Sequence, residues 1–358
     1  MAARIAIDAH MVGTRETGNE TYVVELASEL ARQGEHEYLL YTPYPEALPQ
    51  RLCGHPRMKI RAFQDVPSYI RIPFLYPRLA RRDRLDLLHM TYVAPPLSPC
   101  PVVLTVHDVS YRIYPEFFSP RARLILGALV GPSLRRAARV ITISESTRRD
   151  IVRHYRVSPA KVVVTPLAAG PHYKPQPESE LRRVQARYGL GNRYVLAVGN
   201  VQPRKNLPRL VEAFQAIAQE IPDIQLVIAG RSAWRGSNVE AEIERLGLRD
   251  RVKLPGYVPE DDLPALYSGA TVFCYPSLYE GFGLPPLEAM QCGTPTITSN
   301  VSSLPEVVGD AAVTVDPTSV SQIAASLKRF VTDEAALREY GRRGLQRAAE
   351  FTWEPRDA

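Results

Sequence analysis

Two carboxylates, Glu280 and Glu288, stand with seven residues between them in the stretch Tyr275-Pro276-Ser277-Leu278-Tyr279-Glu280-Gly281-Phe282-Gly283-Leu284-Pro285-Pro286-Leu287-Glu288-Ala289-Met290. The local structure expected is a strand ending near Tyr275, a glycine loop, and a helix whose first turn holds Pro285 and Pro286, where a missing N–H costs little. Main-chain N–H groups at such a junction, at the carboxyl end of a parallel strand, suit a diphosphate. Gly281 and Gly283 let backbone approach a ligand with no Cβ in the way. Each carboxylate can accept hydrogen bonds from vicinal hydroxyls, one pair on a hexose and one on a ribose. Taken singly, each has a plainer reading: Glu280 as a capping acid and Glu288 as a solvated helix glutamate. Upstream, Val103-Leu104-Thr105-Val106-His107-Asp108-Val109 reads as a buried strand delivering His107 and Asp108 to its carboxyl edge, where a histidine caps a strand as readily as it does chemistry.

Positioning these groups needs parallel α/β layers, and the chain alternates short β-rich runs with longer amphipathic stretches. Strands are expected at Ile5–Ile7, Tyr38–Tyr41, Leu87–His89, Val102–Val106, Val140–Ile143 and 161–166, with a helix from Tyr22 to Gln33. Prolines followed by a short charged helix then mark a linker over 171–192, and the alternation restarts at Tyr194–Gly199, Gln225–Gly230, Val252–Leu254, Val272–Tyr275, Thr296–Thr298 and Ala312–Val315. Two Rossmann-like domains follow: 1–170, then 193–345 after the linker, with 346–358 starting a C-terminal crossover. A length of 358 residues also exceeds what one core usually sustains.

In this light the carboxylate stretch resembles the two-glutamate motif of glycosyltransferase family 4, the retaining group with the GT-B fold, in which two parallel-sheet Rossmann-like domains face each other across a cleft. The flanks match too: Cys292-Gly293-Thr294-Pro295, then Leu304-Pro305-Glu306-Val307-Val308-Gly309-Asp310-Ala311-Ala312. The resemblance runs from Ala3 to Trp353 and is strongest between Gly256 and Pro317.

The resemblance implies that Glu288 holds a nucleotide ribose and Glu280 the donor hexose, with the amides of Gly281, Phe282, Gly283 and Leu284 around sugar and phosphate. It implies main-chain contact with the nucleobase at Gly256-Tyr257-Val258. In Val198-Gly199-Asn200-Val201-Gln202-Pro203-Arg204-Lys205-Asn206-Leu207, Lys205 occupies the family's lysine position beside Gly199. Where many members carry arginine directly after that glycine this chain has Asn200, so Arg204 is the expected second cation. A cation there stabilises a departing diphosphate more than the bound ground state. His107 is implied to stand against the donor sugar near the reacting carbon, with Asp108 orienting it or its loop, and Gly18 in the first βα turn is implied to approach the diphosphate closely. Glu20, where a second glycine is usual, has no assigned role.

Other classes are disfavoured. No Asp-x-Asp ends a strand and no His/Cys cluster occurs, so neither a metal nor any resident cofactor is expected. No GxGxxG opens either half, which argues against a nicotinamide oxidoreductase. Four scattered cysteines without a CxxC read as free thiols. The longest largely apolar stretch, Leu124–Leu134, is too short to span a bilayer, and the expectation is a cytoplasmic enzyme. The formal charge of +6 comes from the first 170 residues, the remainder being slightly acidic. That asymmetry and the basic, apolar run Ile70–Arg82 suggest peripheral contact with the inner face of a membrane, with no nucleic acid partner. The donor expected is GDP-mannose, with a UDP-hexose as the alternative, and the acceptor a saccharide or lipid-linked saccharide. An inverting transferase or an epimerase of the same fold is the rival activity.

Overall fold

The computed structural model describes residues 2–14, 17–231 and 239–353. The chain divides into two compact units, one comprising Met1–Leu167 and resuming at Trp353, the other Ala168–Thr352.

In the first unit, strands β1 (Arg4–Asp8), β2 (Glu37–Thr42), β3 (Met58–Ala62), β4 (Leu87–Thr91), β5 (Val102–Thr105), β6 (Arg139–Thr142) and β7 (Val162–Val164) form one sheet. Their order is β3-β2-β1-β4-β5-β6-β7, and every pairing is parallel. The central strands are nearly continuous apolar runs because a parallel sheet is covered by helices on both faces. Strand β3 was not legible in the sequence: Met58-Lys59-Ile60-Arg61-Ala62 alternates apolar with charged residues, and it pairs with β2 alone. The first helix, Thr17–Gln33, begins before the amphipathic stretch from Tyr22. Gly18 therefore lies in its first turn, where a Cβ would meet nothing within 4 Å.

The second unit holds β8 (Tyr194–Val198), β9 (Gln225–Ala229), β10 (Val252–Gly256), β11 (Val272–Tyr275), β12 (Thr296–Ser299) and β13 (Val313–Val315), ordered β10-β9-β8-β11-β12-β13 and again all parallel. Its core runs from Val195 and Ala197 through Leu210, Phe214 and Ile217 to Ile323, Leu327 and Phe330. The segment expected as a linker carries the helix Glu178–Tyr188, which is anchored to this unit. Arg183 and Arg187 reach the carboxylate of Asp262 at 2.8 and 2.7 Å, and the Tyr188 hydroxyl donates to it at 2.6 Å. Asp262 is buried, and a buried carboxylate demands such partners.

Candidate active site

Strand order puts the ends of β8 and β11, which are neighbours, side by side, and the loops that leave them carry the candidate residues. After β8, Gly199 sits at φ +139°, and the single turn Pro203–Lys205 ends at Asn206 with φ +60°. That left-handed residue is fixed by its amide, which donates to the carbonyls of Pro276 at 3.0 Å and Pro317 at 2.6 Å. Leu278 N–H donates to the carbonyl of Arg204 at 2.8 Å. The β8 and β11 loops are thus tied together through main chain.

The result is a buried charge cluster. Lys205 Nζ lies 2.7 Å from Glu280 Oε1, and Arg204 Nη1 lies 2.6 Å from Oε2 and 3.1 Å from the Tyr279 carbonyl. Lys205 also donates to the Tyr275 hydroxyl, its ammonium 4.5 Å from that ring's centroid. Only 7% of Glu280 and 9% of Lys205 is exposed, so solvent screens the pair weakly. Burial by itself would raise the Glu280 pKa. The charges and hydrogen bonds of Arg204 and Lys205 outweigh it and hold the carboxyl at about 2. One carboxylate between two cations leaves a net positive charge at the carboxyl end of the sheet.

The loop beyond Glu280 is held from behind. Glu280 N–H donates to Ser302 Oγ at 3.0 Å, and the Ser303 hydroxyl spans the carbonyls of Glu280 and Phe282 at 2.9 and 2.7 Å. Phe282 is buried edge-on against Phe351, with centroids 5.8 Å apart. Gly283, at φ +122°, precedes the helix Leu284–Gln291, and a Cβ there would stand 2.8 Å from Leu304. Prolines at 285 and 286 carry no N–H, so main-chain donors at this helix start lie at or before Leu284. Glu280 is therefore a cation partner and not a helix cap, which the expectation had left open.

Glu288 lies in that helix and accepts a hydrogen bond from the Tyr267 hydroxyl at 2.8 Å. Burial pushes its carboxyl up, more than the Tyr267 bond pulls it down, and Glu260 adds to the rise, so that it titrates at about 7. At the end of β10, Gly256 has φ +72°, Tyr257 is exposed beneath the guanidinium of Arg231, 4.7 Å from the ring centroid, and Val258 is buried.

In the first unit, His107 follows β5. Burial drives its pKa down to about 4 against the pull of Asp108, so the imidazole is neutral near pH 7. Tyr22 meets the ring edge-on at 4.7 Å, and Nε2 is buried without a hydrogen-bond partner. The Asp108 carboxylate accepts from the N–H and hydroxyl of Ser110 at 2.9 and 2.6 Å, shaping the loop. Glu20 accepts from Gly13 N–H at 2.8 Å, which closes the β1 turn on the helix that contains Gly18.

The structure thus brings Gly199, Arg204, Lys205, Glu280 and the 281–284 amides together in the second unit, with Glu288 in the following helix. Asn206, Tyr275, Tyr267, Ser302 and Ser303 were not singled out from sequence. The one signal available was Asn206, a residue that tolerates positive φ directly after the lysine. Among the described residues no group of three or more His, Cys, Asp or Glu side chains is gathered as a metal site requires.

Comparison with known proteins agrees with this architecture. Residues 179–347 match the family described as glycosyl transferases group 1, and 17–169 match Glycosyltransferase Family 4. The chain is 34% identical over 302 residues to O-antigen chain mannosyltransferase B of Escherichia coli, covering 84% of this chain and 75% of that one. It is 28% identical over 408 residues to the MMP alpha-(1->4)-mannosyltransferase of Mycolicibacterium hassiacum, covering 98% and 95%. Among solved structures, the Anabaena protein HepE in complex with UDP and glucose superposes with a TM-score of 0.78 at 20% identity, covering 97% of this chain and 95% of that one. At that identity the likeness shows the two-domain GT-B fold.

Proposed function

Because the chain belongs to the group 1 glycosyl transferases, with a family 4 N-terminal half, and is a hexosyltransferase, we propose that it moves a mannosyl group from GDP-mannose to a saccharide hydroxyl with retained anomeric configuration. The observation that carries this reading is the Glu280 carboxylate locked between Arg204 and Lys205 beside the glycine helix start.

In this mechanism the donor diphosphate takes hydrogen bonds from Arg204, Lys205 and the amides of Gly281 to Leu284. Glu280 accepts from the hexose hydroxyls, Glu288 from the ribose, and main chain at Tyr257 and Val258 meets the base. Gly199 and Gly18 permit close approach, and neutral His107 is assigned to the sugar near its reacting carbon. The bond from the anomeric carbon to phosphate breaks while the acceptor oxygen bonds to the same face, and a leaving phosphate oxygen takes the acceptor proton. Cations and amides that meet the developing charge stabilise this step without a metal or resident cofactor. A carboxylate paired to two cations is a poor nucleophile, so Glu280 positions and does not attack.

Mannose is favoured because two relatives that span most of the chain are named as mannosyltransferases. The acceptor is assigned as a lipid-linked saccharide, met at the inner face of a membrane through the arginine-rich first unit. Incubation with GDP-mannose or UDP-glucose, followed by NMR of the product anomer, tests the reading. Transfer with the α anomer kept from GDP-mannose is expected; an inverted product overturns the stereochemistry, and transfer from UDP-glucose alone overturns the donor.

A further inference from the structure

Six large apolar side chains of the first unit face outward on two helical segments. Tyr69, Ile70 and Phe74 lie in the run Ser68–Arg82, and Leu124, Ile125 and Leu129 in the helix Pro120–Arg136, with Tyr69, Phe74 and Leu124 exposed by 69%, 69% and 74%. These segments share one face of the sheet. Their inward residues, Tyr76, Leu79 and Ala80 from one and Val130 and Leu134 from the other, belong to a single core cluster. Right-handed crossovers from β3 to β4 and from β5 to β6 place them on that same side. They also share an end, because each starts after its strand has reached the carboxyl edge, and five of the six exposed apolar residues lie in the first half of their segment, with Leu129 just past the middle of its helix.

Charge completes the pattern. From Val66 to Arg82 and from Phe117 to Ser144 the chain has no Asp or Glu, while Arg78, Arg81, Arg82, Arg121, Arg123, Arg135 and Arg136 are exposed. A monomer surface rarely leaves so many large apolar side chains in water without a partner. Two segments that carry arginines and no acid of their own, with Asp65 and Glu116 just ahead of them, select an anionic one, and aromatic and aliphatic tips suit the headgroup boundary. No helix among the described residues is long and apolar enough to cross a membrane.

We propose that this face, built jointly by Tyr69, Ile70, Phe74, Leu124, Ile125 and Leu129 with their flanking arginines, docks on an anionic lipid bilayer. The proposal rests on the reading that the acceptor is lipid-linked, and it adds the surface that reaches it. Apolar tips enter the interface while the guanidinium groups meet phosphate headgroups, and the sheet edge that carries His107 lies at the same end of the unit.

Co-sedimentation with phosphatidylcholine vesicles, with and without phosphatidylglycerol, tests this on the full chain. Binding is expected only to the anionic vesicles, weakening with salt, and falling about tenfold or more in Phe74→Ser/Leu124→Ser and in Arg121→Ala/Arg123→Ala. Transfer to a soluble saccharide acceptor is expected to stay at the wild-type rate in both variants, which shows that they fold. Wild-type protein left in the supernatant, or variants that bind like wild type, overturns the docking face alone. Self-association that the Phe74→Ser/Leu124→Ser change abolishes, without vesicle binding, overturns it in favour of a contact between copies. Wild type that transfers to soluble but not to vesicle-borne acceptor overturns the underlying reading instead.

Discussion

Glu280 shows how burial changes what a carboxylate can do. In water it would be one acid among 38 Asp and Glu, whereas between Arg204 and Lys205 it stays ionised at about 2 and orients both cations. Glu280→Gln keeps the shape and removes the charge, and Lys205→Ala removes the cation nearest Tyr275. Each should lower kcat about a hundredfold or more, with the far-UV circular dichroism of the folded chain. Glu288 makes the opposite case, its carboxyl raised by burial to about 7. Ribose hydroxyls donate to the ionised form, so the nucleotide complex prefers Glu288 without its proton. Binding must then expel a proton below pH 7 and none above it. The Kd for nucleotide should weaken by up to about tenfold per pH unit below 7 and level off above, and Glu288→Gln should flatten that dependence in calorimetric titrations.

Elements position these groups through a few backbone devices. Asn206 holds a left-handed turn and binds the loops after β11 and β13 with two buried hydrogen bonds. Replacing it with alanine removes both bonds and leaves a Cβ residue at positive φ. The second unit should lose about 2–4 kcal/mol in urea unfolding, and kcat should fall because the Lys205 turn loosens. Gly283→Ala meets a different obstacle, with φ +122° and a Cβ 2.8 Å from Leu304, so the helix start that offers its amides must shift. A loss of about 1–3 kcal/mol and weaker nucleotide binding are expected, measured by denaturation and titration.

At the scale of the molecule, the two units have separate apolar cores, one built on Leu88, Leu104 and Val140 and the other on Leu196-flanking Val195, Phe214 and Phe330. Nucleotide contacts are assigned mainly to the second. A sugar nucleotide at a hundred times its Kd should stabilise the state that binds it by about 2.7 kcal/mol, or roughly 5–10 °C for a unit of this size. Scanning calorimetry with GDP-mannose should therefore raise the transition of the second unit, and the first should move less. Equal shifts, or none, would count against the assignment of the donor site to Arg204, Lys205 and Glu280.

Much of the fold was legible because its signals are local. Apolar runs alternating with amphipathic stretches specify a parallel sheet, and glycines and prolines at 281–286 specify a loop that opens a helix, since both depend on neighbours a few residues apart. The edge strand β3 escapes because its alternation carries charge, and the charged helix Glu178–Tyr188 is legible but its attachment to the second unit is not, because its anchor, Asp262, lies far along the chain. Sequence alone determined which residue types stand at the strand ends. Only the tertiary structure decided that Lys205 meets Glu280 across 75 residues, that Asn206 locks their loops, and that Glu280 and Glu288 titrate at opposite extremes. Those outcomes depend on burial and on distances between charges, which packing creates and no local pattern encodes.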